Sequence, residues 1–183
     1  MSRTLIIYST IDGQTKAICE RIASLLVNAK TEIMTIEQAG QNGLSNFNQV
    51  IIGASIRYGK HRPELYNFLK RHREELEKIK SAFFSVNVVA RKPLKNTPET
   101  NPYMIKFLGL TPWRPDQLAV FAGKIDYPKY GFIDKQMIRF IMWMTRGPTD
   151  ISGTFEFTDW SAVEDFAERL SSVSYTHLRA HET

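Results

Sequence analysis

Short apolar runs alternate along the chain with stretches whose apolar positions recur every three or four residues. Thr4-Leu5-Ile6-Ile7-Tyr8 predicts a first strand over 3–8, residues 32–36 a second, and Val50-Ile51-Ile52-Gly53-Ala54 a third. Residues 82–89 and Leu118–Ala122 predict a fourth and a fifth. Between them, Ala17, Ile18, Ile22, Leu25 and Leu26 share a helical face and predict a helix over 14–29. Pro63 is a good first helical residue and opens a helix over 63–79. The segment around Pro98 and Pro102 turns helical near 100–109, and the polar stretch 38–48, with Gly40 and Gly43, reads as a loop or a short irregular helix. A short strand at 154–157 precedes a last helix over 160–171. Ser161 and Glu164 have capping-box spacing there, with Thr158 or Asp159 as alternative caps.

Strands that are apolar throughout are strands covered on both faces. Five of them interleaved with helices define an α/β doubly wound parallel sheet. Right-handed crossovers and a hydroxyl-rich loop after strand one favour the order 2-1-3-4-5. In that order a ligand lies beyond the carboxyl ends of strands one, three and four. The expected organisation is one domain, 1–172, with a long insertion near strand five, about 123–148. The last residues, 173–183, depart from the pattern and are expected to be a frayed end or a non-native extension; His177 and His181 are left out of site arguments.

Composition narrows the setting. The chain has 183 residues, 43% hydrophobic and 23% charged, which suits a water-soluble globular domain. Its single cysteine, Cys19, excludes an internal disulfide, fits a reducing compartment, and falls on the inner side of the first helix as a small core residue. The first apolar run is four residues long and soon meets Asp12, so no signal peptide is read. No run approaches the ~20 apolar residues of a membrane span. The expected location is the cytoplasm or the cytoplasmic face of a membrane. A net charge of +5 points to anionic partners: acidic small molecules, anionic lipid or nucleic acid.

The loop after strand one is Ser9-Thr10-Ile11-Asp12-Gly13-Gln14-Thr15. Free N–H groups and the dipole at the start of the next helix favour an anion there. Ser9, Thr10 and Thr15 add neutral donors, and Gly13 lets the backbone turn closely. Lys16 follows Thr15, so this is not the lysine-bearing triphosphate loop, and it is not a dinucleotide fingerprint. Neutral donors around one terminal phosphate suit a mononucleotide such as FMN. The loop after strand three, Ser55-Ile56-Arg57-Tyr58-Gly59-Lys60-His61-Arg62, offers an aromatic for a flat cofactor and a glycine for close approach. The loop after strand four, Ser85 to Pro93, offers Asn87 to read polar ring atoms and the cations Arg91 and Lys92. No nucleophile triad or metal cluster is visible; His61 and His72 are isolated and read as surface residues.

The insertion carries Lys124, Lys129, Lys135, Arg139 and Arg146 against Asp126 and Asp134. From Ile133 it is helical, with Ile133, Met137, Phe140, Ile141 and Met144 on one face and Lys135, Arg139 and Arg146 on another. Such a helix either packs on its own core or meets lipid, quinone or substrate.

These segments resemble a family. The loop 9–15 is similar to the FMN phosphate loop of flavodoxins. Together with Ile51–Gly59, Phe84–Pro93, Trp113-Arg114-Pro115-Asp116 and Thr158-Asp159-Trp160, it resembles the flavodoxin-like, quinone-dependent protoporphyrinogen dehydrogenases of bacterial haem synthesis, over residues 3–171. The resemblance implies FMN, with its phosphate on Ser9, Thr10, Ile11, Asp12, Gly13, Gln14 and Thr15. It places the ring between Ser55, Ile56, Arg57, Tyr58 and Gly59 on one side and Asn87, Val88, Ala90 and Lys92 on the other. It implies six-electron oxidation of protoporphyrinogen IX to protoporphyrin IX, with electrons passed to menaquinone or ubiquinone. Flavin N5 is then the chemical centre, and no side chain is assigned as catalytic. Arg57, Arg91, Lys92, Lys124 and Lys129 are candidates for the substrate propionates. The insertion is expected to face an anionic membrane surface from the cytoplasmic side. Unlike ordinary flavodoxins the chain is basic, and Tyr58 alone is a candidate stacker. A flavodoxin-type electron carrier and an NAD(P)H:quinone reductase are the alternatives. A nucleic-acid partner has only the charge in its favour and no recognition motif.

Overall fold

The structure is a computed structural model; it describes residues 1–180, with side chains to residue 172. Five strands form one parallel sheet in the order β2-β1-β3-β4-β5: β1 Ser2–Ser9, β2 Ala29–Thr35, β3 Gln49–Ser55, β4 Lys80–Val86 and β5 Gln117–Phe121. The order 2-1-3-4-5 expected from the sequence is the order found. Side chains alternate along each strand, so one run serves two cores. Leu5, Ile7, Val50, Ile52 and Phe83 face α2 (Ile36–Asn42), α3 (Pro63–Arg71), α4 (Arg73–Lys78) and α5 (Pro102–Leu110). Ile6, Ile51, Ala82 and Phe84 face α1 (Gln14–Leu25) and α7 (Trp160–Ala180). Gly53 is required where the sheet is tightest: a Cβ there would come within 2.2 Å of the buried Phe84 ring.

Several boundaries differ from the sequence pattern, for tertiary reasons. Helix α1 stops at Leu25 rather than 29, because β2 joins β1 already at Ser2↔Ala29. The predicted 63–79 helix is two helices, broken at His72 (φ −103°, ψ 18°), whose ring lies 4.5 Å from that of Phe68 and whose Nδ1 bonds Glu75 Oε1 at 3.1 Å. Strand β4 ends at Val86, not 89, because Asn87 caps a 3₁₀ turn over Val88–Arg91. The polar stretch after β2 is helical, with Thr35 and Gln38 forming a capping box. Asp159, rather than Ser161, caps α7 by accepting from Ala162 N at 3.2 Å. The helical trace of α7 runs to Ala180, past the expected 171; Ser172 to Ala180 contains no proline or glycine to stop it. The expectation of a frayed or non-native tail falls on residues whose side chains, from 173, and whose fold, from 181, lie outside the described residues.

The insertion is a structure of its own. A two-stranded antiparallel ribbon, β6 (Lys124–Asp126) with β7 (Thr154–Glu156), closes its base, and α6 (Phe132–Met144) fills its middle. Ile125, Tyr127, Tyr130 and Met142 are its small core.

Candidate functional site

A cleft opens at the carboxyl ends of β1, β3 and β4. It is lined by the loop after β1, the loop after β3, residues 86–89, Tyr103, and residues of the insertion.

The loop after β1 is built to leave donors open. Gly13, in the left-handed conformation (φ +89°), starts α1 without any side-chain cap. The first N–H groups of the helix therefore have no protein acceptor, as at any uncapped start. Thr15 is fully buried, and its Oγ1 has no hydrogen-bond partner. A buried hydroxyl without a partner costs ~1–3 kcal/mol, and an anion seated at this turn would satisfy it. Thr10 Oγ1 accepts from Gly13 N at 3.1 Å and shapes the turn. Gln14 is engaged elsewhere at the cleft's edge: its Nε2 donates to Glu156 Oε1 (2.8 Å) and Thr158 Oγ1 (2.9 Å), tying the loop to the insertion's ribbon. Ser9, the last residue of β1, is buried, and Ile11 is exposed at the loop tip. The donor set fits the terminal phosphate of a mononucleotide.

An aspartate in a loop of open donors is an electrostatic oddity, and Arg57 accounts for it. Arg57 Nη1 meets Asp12 Oδ1 at 2.9 Å, and Nη2 meets Asp134 Oδ2, on the first turn of α6, at 2.9 Å. The guanidinium lies between the rings of Tyr58 (5.6 Å) and Tyr130 (5.4 Å), and the Tyr58 hydroxyl bonds Asp134. One arginine thus joins the loop after β1, the loop after β3 and the insertion. Tyr58 is half-exposed at the cleft with a left-handed backbone (φ +51°), beside Gly59 (φ +78°).

The loop after β4 differs from its expected role. Asn87 lines the cleft, but its amide is consumed internally. Nδ2 donates to Ser85 Oγ (3.2 Å) and Asn101 Oδ1 (3.3 Å), while Oδ1 accepts from Ala90 N (3.1 Å) and Asn101 Nδ2 (3.0 Å). Its side-chain amide is committed to holding the turn. His61 and His72 are buried rather than on the surface, because aromatic and aliphatic neighbours close over them. Burial, with Lys106 nearby, pushes His61 down to about 4. Burial pushes the Cys19 thiol up, in keeping with a core residue.

Of the expected residues, the fold brings Thr10, Asp12, Gln14, Thr15, Ser55, Ile56, Arg57, Tyr58, Gly59, Asn87, Val88 and Lys124 to the cleft. Gly13 forms the turn beneath it, and Ala90 is buried behind the 87–91 turn. Arg91 is not brought in: it donates to the carbonyls of Val88 (3.0 Å) and Thr145 (3.0 Å), and its guanidinium lies over Phe157. Lys92 lies beyond the 87–91 turn, and Lys129 pairs with Asp126 at 3.5 Å. Tyr103, Tyr130, Ile138 and Met142 line the cleft without having been singled out, because each arrives from a distant part of the chain. Among the described residues there is no His/Cys/Asp/Glu cluster that could hold a metal.

Helix α6 has two sides. Ile138, Ile141 and Met142 roof the cleft. Phe132, Ile133, Met137, Phe140, Trp143 and Met144 stand in solvent, with Arg139 and Arg146 exposed beside them. The apolar face anticipated from its spacing therefore does not pack on the protein's own core. No helix among the described residues is long and apolar enough to cross a membrane.

A cleft with an anion-ready turn at the head of a 2-1-3-4-5 sheet defines the flavodoxin class, and the flavodoxin-domain family matches residues 5–152. Solved structures agree on the fold. A flavodoxin, WrbA-like protein from Agrobacterium tumefaciens superposes with a TM-score of 0.54 at 11% identity, covering 97% of this chain and 99% of that one. A short-chain flavodoxin associated with a PDU bacterial microcompartment gives 0.52 at 12%, covering 94% and 99%. At the sequence level the chain is 42% identical over 174 residues to the protoporphyrinogen IX dehydrogenase [quinone] of Escherichia coli strain K12, covering 94% of this chain and 96% of that protein. The protein of that name from Leishmania major is 41% identical, covering 93% and 75%. The chain belongs to the protoporphyrinogen IX dehydrogenase [quinone] family of flavodoxin-domain proteins.

Proposed function

We propose that this chain oxidises protoporphyrinogen IX to protoporphyrin IX with FMN held in the cleft, and delivers the electrons to a quinone at an anionic membrane surface. The observation that carries this reading is the two-sided helix α6, which roofs the cofactor cleft with one side and offers apolar and basic residues outward with the other. The orphaned Thr15 hydroxyl and the uncapped start of α1 support a phosphate at residues 9–15. The loop at 55–59, with Tyr58, and the turn at 87–89 are the walls for a planar ring. FMN, when bound, supplies a two-electron acceptor at N5.

The protein's own contributions are binding and exclusion. Arg57 neutralises Asp12, so the phosphate loop presents donors rather than a carboxylate. Ile138, Ile141 and Met142 keep water from the roof of the cleft. Lys124 lines the cleft and is the cation we assign to a substrate propionate; Arg57 is already held by two aspartates, and Arg91 by two carbonyls. Outside, an amphipathic helix with aromatic and basic residues is suited to the headgroup boundary, from which a quinone dissolved in the bilayer is within reach.

The test is anaerobic. FMN-loaded protein is mixed with protoporphyrinogen IX, then with a menaquinone analogue. The expected result is loss of flavin absorbance, its return with quinone, and porphyrin fluorescence. Absence of bleaching, or bleaching by NADPH alone, overturns the proposal.

A further inference from the structure

Beneath the cleft four polar side chains, all buried, form one chain: His61, Ser85, Asn87 and Asn101. His61 Nε2 lies 3.0 Å from Ser85 Oγ. Ser85 Oγ accepts from Asn87 Nδ2, and Asn87 and Asn101 exchange a reciprocal pair of amide bonds. Asn101 caps α5, accepting from Tyr103 N (3.1 Å) and Met104 N (3.2 Å), and donates to Lys95 O (2.8 Å). The chain begins in the loop after β3, passes under the 87–91 turn and ends where Tyr103 enters the cleft. It therefore connects three of the cleft's walls.

The proton inventory orients it. Both donors of the Asn87 amide are used, so Ser85 Oγ is an acceptor there and still has its own proton to give. His61 Nε2 is 3.0 Å away, in place to take it, and we assign it as the acceptor, with the imidazole proton on Nδ1. Only a neutral ring can accept, and the surroundings are apolar: the rings of Phe83, Phe107 and Tyr66 pack edge-on at 5.6–6.5 Å. Burial disfavours the imidazolium, and so does the nearby cation Lys106 on α5.

We propose that His61 is a positioning residue for the cofactor: by accepting from Ser85 it fixes Asn87, and through Asn87 it sets the 87–91 turn that walls the FMN cleft. The inference rests on the FMN reading above. His61 does not touch the cleft itself. Without its acceptor the Ser85 hydroxyl is free to rotate, and Asn87 loses a fixed partner while its backbone remains at the cleft.

Four variants test this: His61→Phe, which keeps a buried ring; His61→Gln, which returns an amide near Nε2; Ser85→Ala; and the double variant of His61→Phe with Ser85→Ala. The readouts are the FMN dissociation constant of the apoprotein by flavin fluorescence, the visible spectrum of the bound flavin, and the urea midpoint of the apoprotein. His61→Phe and Ser85→Ala are each expected to weaken FMN about tenfold, the size of one lost buried hydrogen bond, and to shift the flavin spectrum. The double variant is expected to be no weaker than Ser85→Ala alone. His61→Gln is expected to restore affinity and spectrum. Additive losses, no rescue by Gln, or FMN affinity that follows only the urea midpoint overturn the inference; Ser85→Ala and His61→Gln decide it if His61→Phe does not fold. Wild-type protein that binds no FMN overturns the FMN reading itself, and with it this one.

Discussion

Helices α1 and α6 are nearly equal in length, 12 and 13 residues, and both are amphipathic, yet they end in opposite environments. Ile18, Cys19 and Ile22 of α1 are fully buried between the sheet and α7. In α6 only Met142 is buried, while Ile133 is 76% exposed and Trp143 70%. Apolar spacing establishes that a helix has a face; it does not say what covers it. The chain supplies a cover for α1. For α6 it supplies only the small cluster of Ile125, Tyr127 and Tyr130, enough for one edge. An exposed apolar patch of this kind marks an interaction surface.

The difference can be broken directly. Ile18→Ala is expected to cost ~2–5 kcal/mol in urea unfolding, as a buried truncation does, whereas Ile133→Ala should change stability by less than ~0.5 kcal/mol. Equal costs would mean that α6 is covered in solution. Titration sharpens the same contrast. His61 in the frame is neutral down to about 4, against 6.5 when unfolded. Between those values the unfolded chain binds the extra proton, so stability is full above 6.5 and falls as pH drops towards 4, by up to about 3 kcal/mol. Comparing urea midpoints of wild type and His61→Gln across that window isolates this slope, which should flatten in the variant. Ile133→Ala should leave it unchanged. The smallest effect is expected at the lipid surface: Trp143→Ser and Phe140→Ser should each reduce partitioning into anionic vesicles about tenfold while leaving the urea midpoint in place. Added salt should weaken wild-type binding through Arg139 and Arg146. Vesicle binding that ignores these changes would remove the membrane from the proposal.

Much of this was legible from local pattern. The five strands and their order follow from apolar runs and the handedness of crossovers, and the uncapped turn at residues 9–15, with the unpartnered Thr15 hydroxyl, lies within one short segment. What was hidden depends on distance. Nothing near Arg57 announces Asp134, 77 residues on, so an arginine free for substrate was the natural reading and a doubly paired one is the outcome. Asn87 at the cleft looks like a reader of ligand atoms until Asn101 and Ser85 are seen to occupy its amide. His61 looks like a surface residue because polarity is the only local clue, and its burial is decided by Phe83 and Phe107, which come from elsewhere; His72 is covered in part by Phe68, one helical turn away. Lys124 and Lys129 look alike as cations for a substrate propionate, yet the fold sends Lys124 to the cleft and Lys129 to Asp126.

The base of the insertion has a consequence for how this protein could be taken apart. Thr158 Oγ1 donates to Ala122 O at 2.7 Å and Phe157 N to Gly123 O at 3.0 Å, so the chain leaves the sheet and comes back at neighbouring points. Along the backbone everything between hangs from two adjacent hooks, and its other ties to the frame are side-chain bonds: Asp134 to Arg57, Glu156 to Gln14 and the Thr145 carbonyl to Arg91. A direct splice from Gly123 to Phe157 would close a gap already spanned by one hydrogen bond and let β5 run straight on to α7. The excised protein would retain its nucleotide turn but have an unroofed cleft, which separates holding a cofactor from using it.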